Sequence, residues 1–560
     1  MPQQFFIECL DCGHHAPFSL ARPACPRCGS LWREARYDYS ALSPSILDRI
    51  AARPFDLWRY QELLPLRAPE PEFILGEGWT PLIPAVNLGM MLGNNHIYVK
   101  DERQGPTSSF KDRQAAMTVA ALKEAGITEA VIASTGNVAI AYSAYAARAG
   151  IKLWAFLTSL VPPEKMREVA VYGTQVVKVT GTYDQAKQVA AEYARQRGLY
   201  LDLGTRSVTS VESMKTIAFE IAEQLAYRRD SALGRTDLSE SSTPWAAPDW
   251  YIQAVSGGIG PLGVQKGFAE LFQMGLIDRM PSLGLIQAEG CSPMVAAWKD
   301  GRETAEPVIS PRTHISTLST GNPGRAYTLL SERMHGGAFE SVSDAEAFRT
   351  MHIMAKMEGI SIEPAASVAF AGLIKLVREG RIQPDDAVVV NCSGHTISIE
   401  PGILGKGWAR NVVIPAQSPA DIPEEGLLAA LNRVTEERYP RVLVVDDNAD
   451  ARVLIRRILQ SQGNYTLFEA TNGLDALSTA VGEIPDLIIL DLMMPEMDGF
   501  SVLDALKGKK ETSEIPVIVV TAKSLTKEEK IRLAGQTKKF LQKGDFLSDE
   551  FLDEIRILAQ

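Results

Sequence analysis

The chain has 560 residues, of which 46% are hydrophobic and 22% charged, and its net charge is −11. This length exceeds what one hydrophobic core supports, so we expect two to four globular domains. The acidic charge and the lack of a basic cluster argue against a nucleic-acid partner. No apolar run approaches the ~18 residues of a membrane span, and the N-terminus lacks a signal-peptide pattern. We therefore expect a cytoplasmic protein without membrane attachment.

Four of the six cysteines form two C-x-x-C pairs close to the N-terminus. Two residues between thiolates allow both sulfurs to reach one ion, which predicts a tetrahedral Zn²⁺ site with a structural role. Disulfides are the alternative, and they conflict with a cytoplasmic chain. The predicted zinc ligands are Cys9, Cys12, Cys25 and Cys28.

Between about residues 70 and 400, short β-branched runs alternate with helical stretches, which is typical of parallel α/β units. Residues 228–248 are polar and rich in Ser and Pro, and this composition predicts a surface loop. Residues 402–439 read as a connector. A second alternation of strands and helices begins at Arg441.

The segment VKDERQGPTSSFKDR at 99–113 leads into a helix and places Lys111 between an aromatic residue and an Asp-Arg pair. A lysine at a helix start is more often a solvated charge, but here a Pro-Thr-Ser-Ser turn precedes it. This context resembles the cofactor-binding lysine segment of fold type II pyridoxal-phosphate (PLP) enzymes. It is most similar to threonine synthases, whose pattern is P-T-G-S-F-K-D-R. The resemblance implies that Lys111 binds PLP covalently and is the catalytic lysine.

Three further segments occur in the order that this family has. In the family, a loop like ASTGNVA (133–139) binds the substrate carboxylate at a helix N-terminus, and its Asn lies beside the PLP hydroxyl. The glycine-rich VSGGIGPL (255–262) resembles the loop that holds the PLP phosphate. VVVNCSGH (388–395) resembles the strand whose hydroxyl bonds the pyridine nitrogen. The implied substrate-binding residues are Ser134, Thr135 and Gly136, and the implied cofactor-binding residues are Lys111, Asn137, Gly257, Gly258, Ile259, Gly260 and Ser393.

The resemblance spans about residues 1–400, including the cysteine pairs seen in some threonine synthases. Ser108 and Gln114 stand where the family usually has Gly. The phosphate loop lacks the common final G-G-N and carries Pro261, and the T-G-H-G-L-K tail has become SGHTISIE. These departures leave PLP binding intact and bear on the identity of the amino-acid substrate.

In the C-terminal region, four predicted strands end in polar residues: two acids after Val445, then Asp491, Thr521 and Lys543. The carboxyl ends of parallel strands meet at one edge of an open α/β sheet. Three carboxylates there can hold Mg²⁺ by oxygen ligands. The metal and Lys543 would neutralise a phosphoryl group arriving on Asp491, and Thr521 would hydrogen-bond to it.

This pattern resembles the receiver domain of bacterial response regulators, with Phe540 at the aromatic switch position and Gly544 where Pro is usual. The resemblance implies phosphorylation of Asp491 by a histidine kinase or phosphotransfer protein. No DNA-binding module follows, so we expect the enzyme itself to be the output. The implied receiver site is Asp446, Asp447, Thr521 and Lys543, with Mg²⁺ held by Asp446, Asp447 and Asp491.

The expected architecture is α/β: a zinc-ribbon-like segment (1–40), a two-lobed fold type II PLP domain of the tryptophan synthase β-like type (41–401), a linker (402–439) and a flavodoxin-like (βα)₅ receiver (440–560). The expected function is that of threonine synthase, which converts O-phosphohomoserine to threonine and phosphate, under control of receiver phosphorylation. The alternatives are an enzyme of the cysteate synthase or threonine/serine dehydratase type, or a non-catalytic amino-acid sensor. Intact Lys111, Asn137 and Ser393 argue against a sensor. A homodimer is expected from analogy of fold.

Overall fold

The computed structural model describes residues 5–40, 46–158, 161–180, 182–232, 243–395, 440–462, 465–523 and 525–542. The predicted linker 402–439 lies outside these ranges. The chain divides into two compact units. The first contains Met1–Ala85, His96–Met351 and Ser361–Ser398, and the second contains Val86–Asn95, His352–Ile360 and Ile399–Gln560. Among the described residues, no helix combines the length and apolarity needed to cross a bilayer.

The first unit begins with a small antiparallel sheet in the order β2-β1-β3. Its strands are β1 Phe5–Cys9, β2 His15–Ala16 and β3 Arg33–Tyr37. Ile7 and Ala35 are paired across β1 and β3, and both side chains are buried. Cys9 ends β1, Cys12 lies between β1 and β2, and Cys25 and Cys28 lie between β2 and β3.

Two larger sheets follow, one for each lobe of the predicted PLP domain. The six-stranded sheet has the order β12-β11-β10-β13-β5-β4, with β4 antiparallel to β5 and the other pairs parallel. The four-stranded sheet, β8-β7-β6-β9, is parallel throughout. Their strands are β4 Leu82–Pro84, β5 Ile97–Asp101, β6 Glu129–Ser134, β7 Lys152–Thr158, β8 Gln175–Val179, β9 Tyr200–Leu201, β10 Trp250–Ala254, β11 Ser282–Ala288, β12 Gly337–Val342 and β13 Val388–Cys392.

The central strands β10 and β13 are short apolar runs because helices cover the sheet, so both of their faces are buried, whereas β8 at the edge of the four-stranded sheet has no buried residue. In β13 all five residues, VVVNC, are buried. The helices between residues 46 and 378 are α1 Ile46–Ala51, α2 Val86–Leu92, α3 Lys111–Glu124, α4 Asn137–Ala149, α5 Pro163–Val171, α6 Tyr183–Arg197, α7 Val208–Ala232, α8 Ile259–Gln273, α9 Pro293–Lys299, α10 Ala326–Arg333, α11 Asp344–Ile353 and α12 Pro364–Arg378. Of these, α2 belongs to the second unit.

One predicted boundary needs correction. Residues 228–232 were expected in a surface loop, but α7 continues to Ala232. The stretch is polar, which predicts a loop, but it is the end of a helix that begins at Val208. The apolar residues of this helix pack in the core. Of the remaining predicted loop, residues 233–242 lie outside the described part of the chain.

The second unit contains a five-stranded parallel sheet in the order β15-β14-β16-β17-β18. This is the flavodoxin-like order expected of a receiver domain. Its elements are β14 Arg441–Val445, α13 Ala449–Gln462, β15 Thr466–Ala470, α14 Gly473–Glu483, β16 Leu487–Leu490, α15 Gly499–Lys507, β17 Val517–Thr521, α16 Lys527–Ala534 and β18 Lys539–Gln542. The carboxyl ends of β14, β16 and β17 bring the predicted acidic residues and Thr521 to one edge.

Candidate functional sites

A cavity in the first unit collects residues from all four segments that the sequence singled out. Its empty volume is about 560 Å³. Parallel strands deliver their carboxyl-terminal loops to the same edge, which is why segments far apart in the chain meet here. The predicted site residues that line it are Lys111, Thr135, Asn137, Gly257, Gly258, Ile259, Gly260 and Ser393.

Lys111 is the first residue of α3, and its Nζ lies 4.2 Å from the centre of the Phe110 ring. Burial lowers the pKa of Lys111 to about 8, although Asp202 and Glu363 act in the opposite direction. Above about pH 8, most of the Lys111 amine is therefore unprotonated and can act as a nucleophile.

The turn before Lys111 is tied to the end of β13. The backbone N–H of Phe110 donates to Ser393 O at 3.0 Å, and that of His395 donates to Ser108 O at 3.0 Å. Ser108 has φ of +58°, the left-handed region in which Gly is the usual residue. The family's Gly at this position therefore has a conformational reason, and Ser108 adopts the same conformation at some cost.

The Asp-Arg pair that follows Lys111 is structural. Arg113 is buried and its guanidinium donates to Glu102 and Glu220, with the shortest contact to each at 2.9 and 2.5 Å. Lys100 donates to Glu220 at 2.7 Å. Burial alone would raise the pKa of Glu220, but Arg113 and Lys100 lower it to about 2. This ion-pair network fixes the start of α3, and hence the position of Lys111.

Asn137 begins α4 and contacts a carboxylate that the sequence analysis did not single out. Its Nδ2 donates to both oxygens of Glu363, at 3.0 and 2.8 Å, and its Oδ1 accepts from Lys165 Nζ at 3.1 Å. Lys165 also forms an ion pair with Glu363 at 3.6 Å. On the other side, Ser393 Oγ donates to Glu363 Oε1 at 3.4 Å. Glu363 therefore connects the two polar groups that were predicted to flank the PLP ring.

In the loop before α4, Ser134 shapes the backbone and Thr135 lines the cavity. Ser134 is fully buried, and its Oγ accepts from the backbone N–H groups of Gly136 and Ala139 at 3.0 and 3.1 Å. Its hydroxyl thus shapes the loop. Thr135 lines the cavity directly. Gly136 has φ of +137°, and it turns the chain from β6 into α4.

The glycine-rich loop runs from β10 into α8. Gly258 has φ of +93° and packs against Ala326, whose Cβ would lie 3.1 Å from a Cβ at residue 258. Ser256 Oγ hydrogen-bonds Thr320 Oγ1 at 2.7 Å. The N-terminus of this 15-residue helix, α8, opens onto the cavity, and the helix dipole there favours an anion.

These residues fit PLP. The cavity offers an amine with a lowered pKa, a helix N-terminus for a phosphate, a hydroxyl at Ser393 and an amide at Asn137. Gln253, one of the residues that line the cavity, has a buried amide nitrogen, Nε2, with no hydrogen-bond partner in the described part of the chain.

The four N-terminal cysteines converge, and none forms a disulfide. Their Sγ atoms all lie within 4.8 Å of one another, with Cys9–Cys28 at 3.5 Å and Cys12–Cys25 at 3.7 Å. A zinc ion with four sulfurs at about 2.3 Å requires sulfur separations of about 3.8 Å. The cluster therefore has the size and donor set of a structural zinc site.

In the second unit, Asp446, Asp447 and Asp491 offer carboxylate oxygens within 4.8 Å of one another. Asp446 and Asp491 are buried and Asp447 is exposed. Thr521 ends β17 and is buried, and Phe540 is half-buried in β18. Lys543 lies outside the described residues. The three carboxylates match the oxygen ligands that Mg²⁺ prefers.

The fold and the cavity define the class: a PLP enzyme of fold type II, joined to a receiver domain. A family model for pyridoxal-phosphate dependent enzymes matches residues 74–394, and a response regulator receiver domain model matches residues 442–555. The chain belongs to the family of pyridoxal-phosphate dependent enzymes and is a PLP-dependent lyase similar to threonine synthases.

Among its relatives, the threonine synthase of Methanocaldococcus jannaschii is 33% identical over 391 residues, covering 69% of this chain and 91% of the relative. The threonine synthase of Methanosarcina acetivorans is 33% identical over 395 residues, covering 70% and 92%. A solved structure, the processed form of threonine deaminase isoform 2 from Solanum lycopersicum, is 19% identical with a TM-score of 0.47, covering 57% of this chain and 80% of that one.

Proposed function

We propose that this chain catalyses the threonine synthase reaction, in which O-phosphohomoserine loses phosphate and gains water to give threonine. One observation carries the proposal: Lys111, Asn137, the glycine-rich loop and Ser393 line one cavity in a chain whose relatives are threonine synthases. When bound, PLP supplies an electron sink that stabilises negative charge on substrate carbons.

The chain's own residues would divide the work. Lys111 attaches the cofactor and, once released by the substrate amine, moves protons at the substrate carbons. Thr135 and the backbone of Ser134–Gly136 bind the substrate carboxylate at the N-terminus of α4. Ser393 presents a neutral hydroxyl to the ring nitrogen, which leaves that nitrogen unprotonated. Residues 257–260 hold the PLP phosphate.

The test is turnover of O-phosphohomoserine by the PLP-loaded full chain. We expect threonine and phosphate in equal amounts, and neither product with Lys111→Ala. Formation of 2-oxobutyrate from threonine, without turnover of O-phosphohomoserine, would replace the proposal with a dehydratase.

We further propose that the receiver controls this enzyme. A kinase or phosphotransfer protein would phosphorylate Asp491, with Mg²⁺ held by Asp446, Asp447 and Asp491 and with Lys543 and Thr521 contacting the phosphoryl group. The acidic cluster and Thr521 at one sheet edge support this function. In the same way, the cysteine cluster supports one structural Zn²⁺ per chain.

We also propose a homodimer and a chain organised into four parts, which are 1–40, 41–401, 402–439 and 440–560. Size measurement by light scattering tests the dimer, and limited proteolysis tests the boundaries. Cleavage confined to 402–439 is the expected pattern.

A further inference from the structure

Gln253 is a polar residue in the apolar strand β10 (WYIQA). Side chains alternate along a strand, so Tyr251 and Gln253 lie on the same face. The Tyr251 hydroxyl donates to Gln253 Oε1 at 3.0 Å. Gln253 is only 1% exposed, and its Nε2 has no hydrogen-bond partner among the described residues. A buried amide left unpaired is costly, so this donor requires an explanation.

The unpaired nitrogen lies against the glycine-rich loop. A Cβ built on Gly260 would be 2.4 Å from Gln253 Nε2 and 2.9 Å from Oε1. The amide of Gln253 therefore fills the space that a side chain at residue 260 would need. Gln253 also lines the cavity, beside the N-terminus of α8. Gln253 thus places a side-chain amide from the neighbouring strand beside the loop at residue 260.

We propose that Gln253 Nε2 donates a hydrogen bond to a phosphoryl oxygen bound at residues 256–260. Acceptance from Tyr251 holds Oε1 and leaves Nε2 as the free end of the amide. The helix N-terminus and this amide then present donors to one anion. The inference rests on the PLP-binding part of the proposed function and is independent of its substrate. PLP and a phosphorylated substrate offer the same phosphoryl chemistry, and the binding measurements distinguish them.

The test compares binding of PLP with binding of pyridoxal, which lacks the phosphate. Both are titrated spectroscopically into the full-length apoprotein. Gln253→Leu removes the donor, and Gln253→Glu replaces it with a charge that repels phosphate. We expect each variant to weaken PLP binding about 10- to 100-fold, the usual range for a hydrogen bond to a charged acceptor, while pyridoxal binding stays unchanged.

Two further variants sharpen the result. Tyr251→Phe frees Oε1 and should weaken PLP binding to a smaller degree. Gln265→Leu is the matched control, because Gln265 is a buried glutamine of α8 whose Nε2 donates to Arg333 O, and it should leave PLP affinity unchanged. Near-ultraviolet circular dichroism checks that each variant is folded.

The second arm measures inorganic phosphate binding to the PLP-loaded protein by ³¹P NMR. Unchanged PLP affinity with about tenfold weaker phosphate binding in Gln253→Leu would assign the donor to a substrate phosphoryl group that lies beside the PLP phosphate, and not to the PLP phosphate itself. If Gln253→Leu and Gln253→Glu both kept the affinities for PLP and for inorganic phosphate, the proposal would be overturned. None of these readouts depends on turnover, so the proposed reaction can fail while this inference stands.

Discussion

Asn137 donates its side-chain amide to both carboxylate oxygens of Glu363, although 226 positions separate the two residues. Lys165 completes the contact from the other side of Asn137. The orientation of Asn137, and the place of any group that it binds, therefore depend on Glu363.

Replacement of Glu363 by Gln removes the charge that pairs with Lys165 and loosens Asn137. We expect kcat to fall about 10- to 100-fold, in line with about 1.5–3 kcal/mol for a hydrogen bond to a charged group, with PLP still bound. Steady-state kinetics and the cofactor absorption spectrum check this. Glu340→Gln is the control, since Glu340 is also buried and pairs with Lys299 and Lys375 away from the cavity. A kcat equally reduced in both variants would argue against a specific role for Glu363.

The lowered pKa of Lys111 predicts how PLP loading depends on pH. The neutral amine is the nucleophile, and burial brings its pKa to about 8. The rate of covalent PLP attachment to apoprotein should rise as pH increases through about 8 and level off above it. Stopped-flow absorbance follows the attachment, borohydride fixes the product to Lys111, and Lys111→Ala should show no fixation. A rate that still climbs steeply near pH 10 would contradict the lowered pKa.

The cysteine cluster predicts one zinc per chain that stabilises the fold. Cys12→Ser should lower the zinc content from about one to near zero and reduce the unfolding temperature by several degrees, because metal binding contributes to folding. Cys291→Ala is the matched control, because Cys291 is buried elsewhere. Elemental analysis and calorimetry give both quantities. Freshly reduced wild-type protein without zinc would remove the claim.

Replacement of Arg113, which does not line the cavity, should strongly lower the free energy of unfolding. Arg113→Met leaves Glu102 and Glu220 buried without the Arg113 cation, although Lys100 still pairs with Glu220, and breaking such a buried pair typically costs about 3–5 kcal/mol. Urea unfolding of the wild type and the variant measures the difference. Because the folded-state pKa of Glu220 is lowered to about 2, its contribution is complete above its unfolded pKa, near 4.5, and is lost as pH falls toward 2. Because Lys100 still pairs with Glu220, the variant should lose only part of this acid sensitivity.

The sequence predicted the secondary structure around the cavity. Lys111 begins a helix, and the loops at 134–137 and 256–260 connect strands to helices, as the pattern of residue types predicts. The signals for strands and helices are local in the sequence. Because the carboxyl ends of parallel strands lie at the same edge of a sheet, the sequence alone predicts that these segments lie close together.

Side-chain partners across the fold could not be predicted in this way. Glu363 lies just before α12 and 226 residues from Asn137, and Lys165 lies in α5, 28 residues from Asn137. No periodicity in the sequence marks either contact. Two signals were nevertheless present. Glu363 stands before Pro364 at the start of α12, and Gln253 is a polar residue in an apolar strand. A polar residue in a buried strand predicts that a partner exists, but only the structure identifies the neighbour.

We propose that the enzyme and the receiver act as one regulated protein. The most direct measurement is steady-state kinetics of the full chain with O-phosphohomoserine, with and without Mg²⁺ and a small phosphodonor, beside an Asp491→Ala variant treated identically. Phosphorylation is verified by mass spectrometry. We expect a change in kcat or KM in the wild type alone. Where the change is in substrate affinity, a coupling of about 1–3 kcal/mol corresponds to about 5- to 150-fold. Equal kcat and KM for the phosphorylated wild type and Asp491→Ala would contradict it.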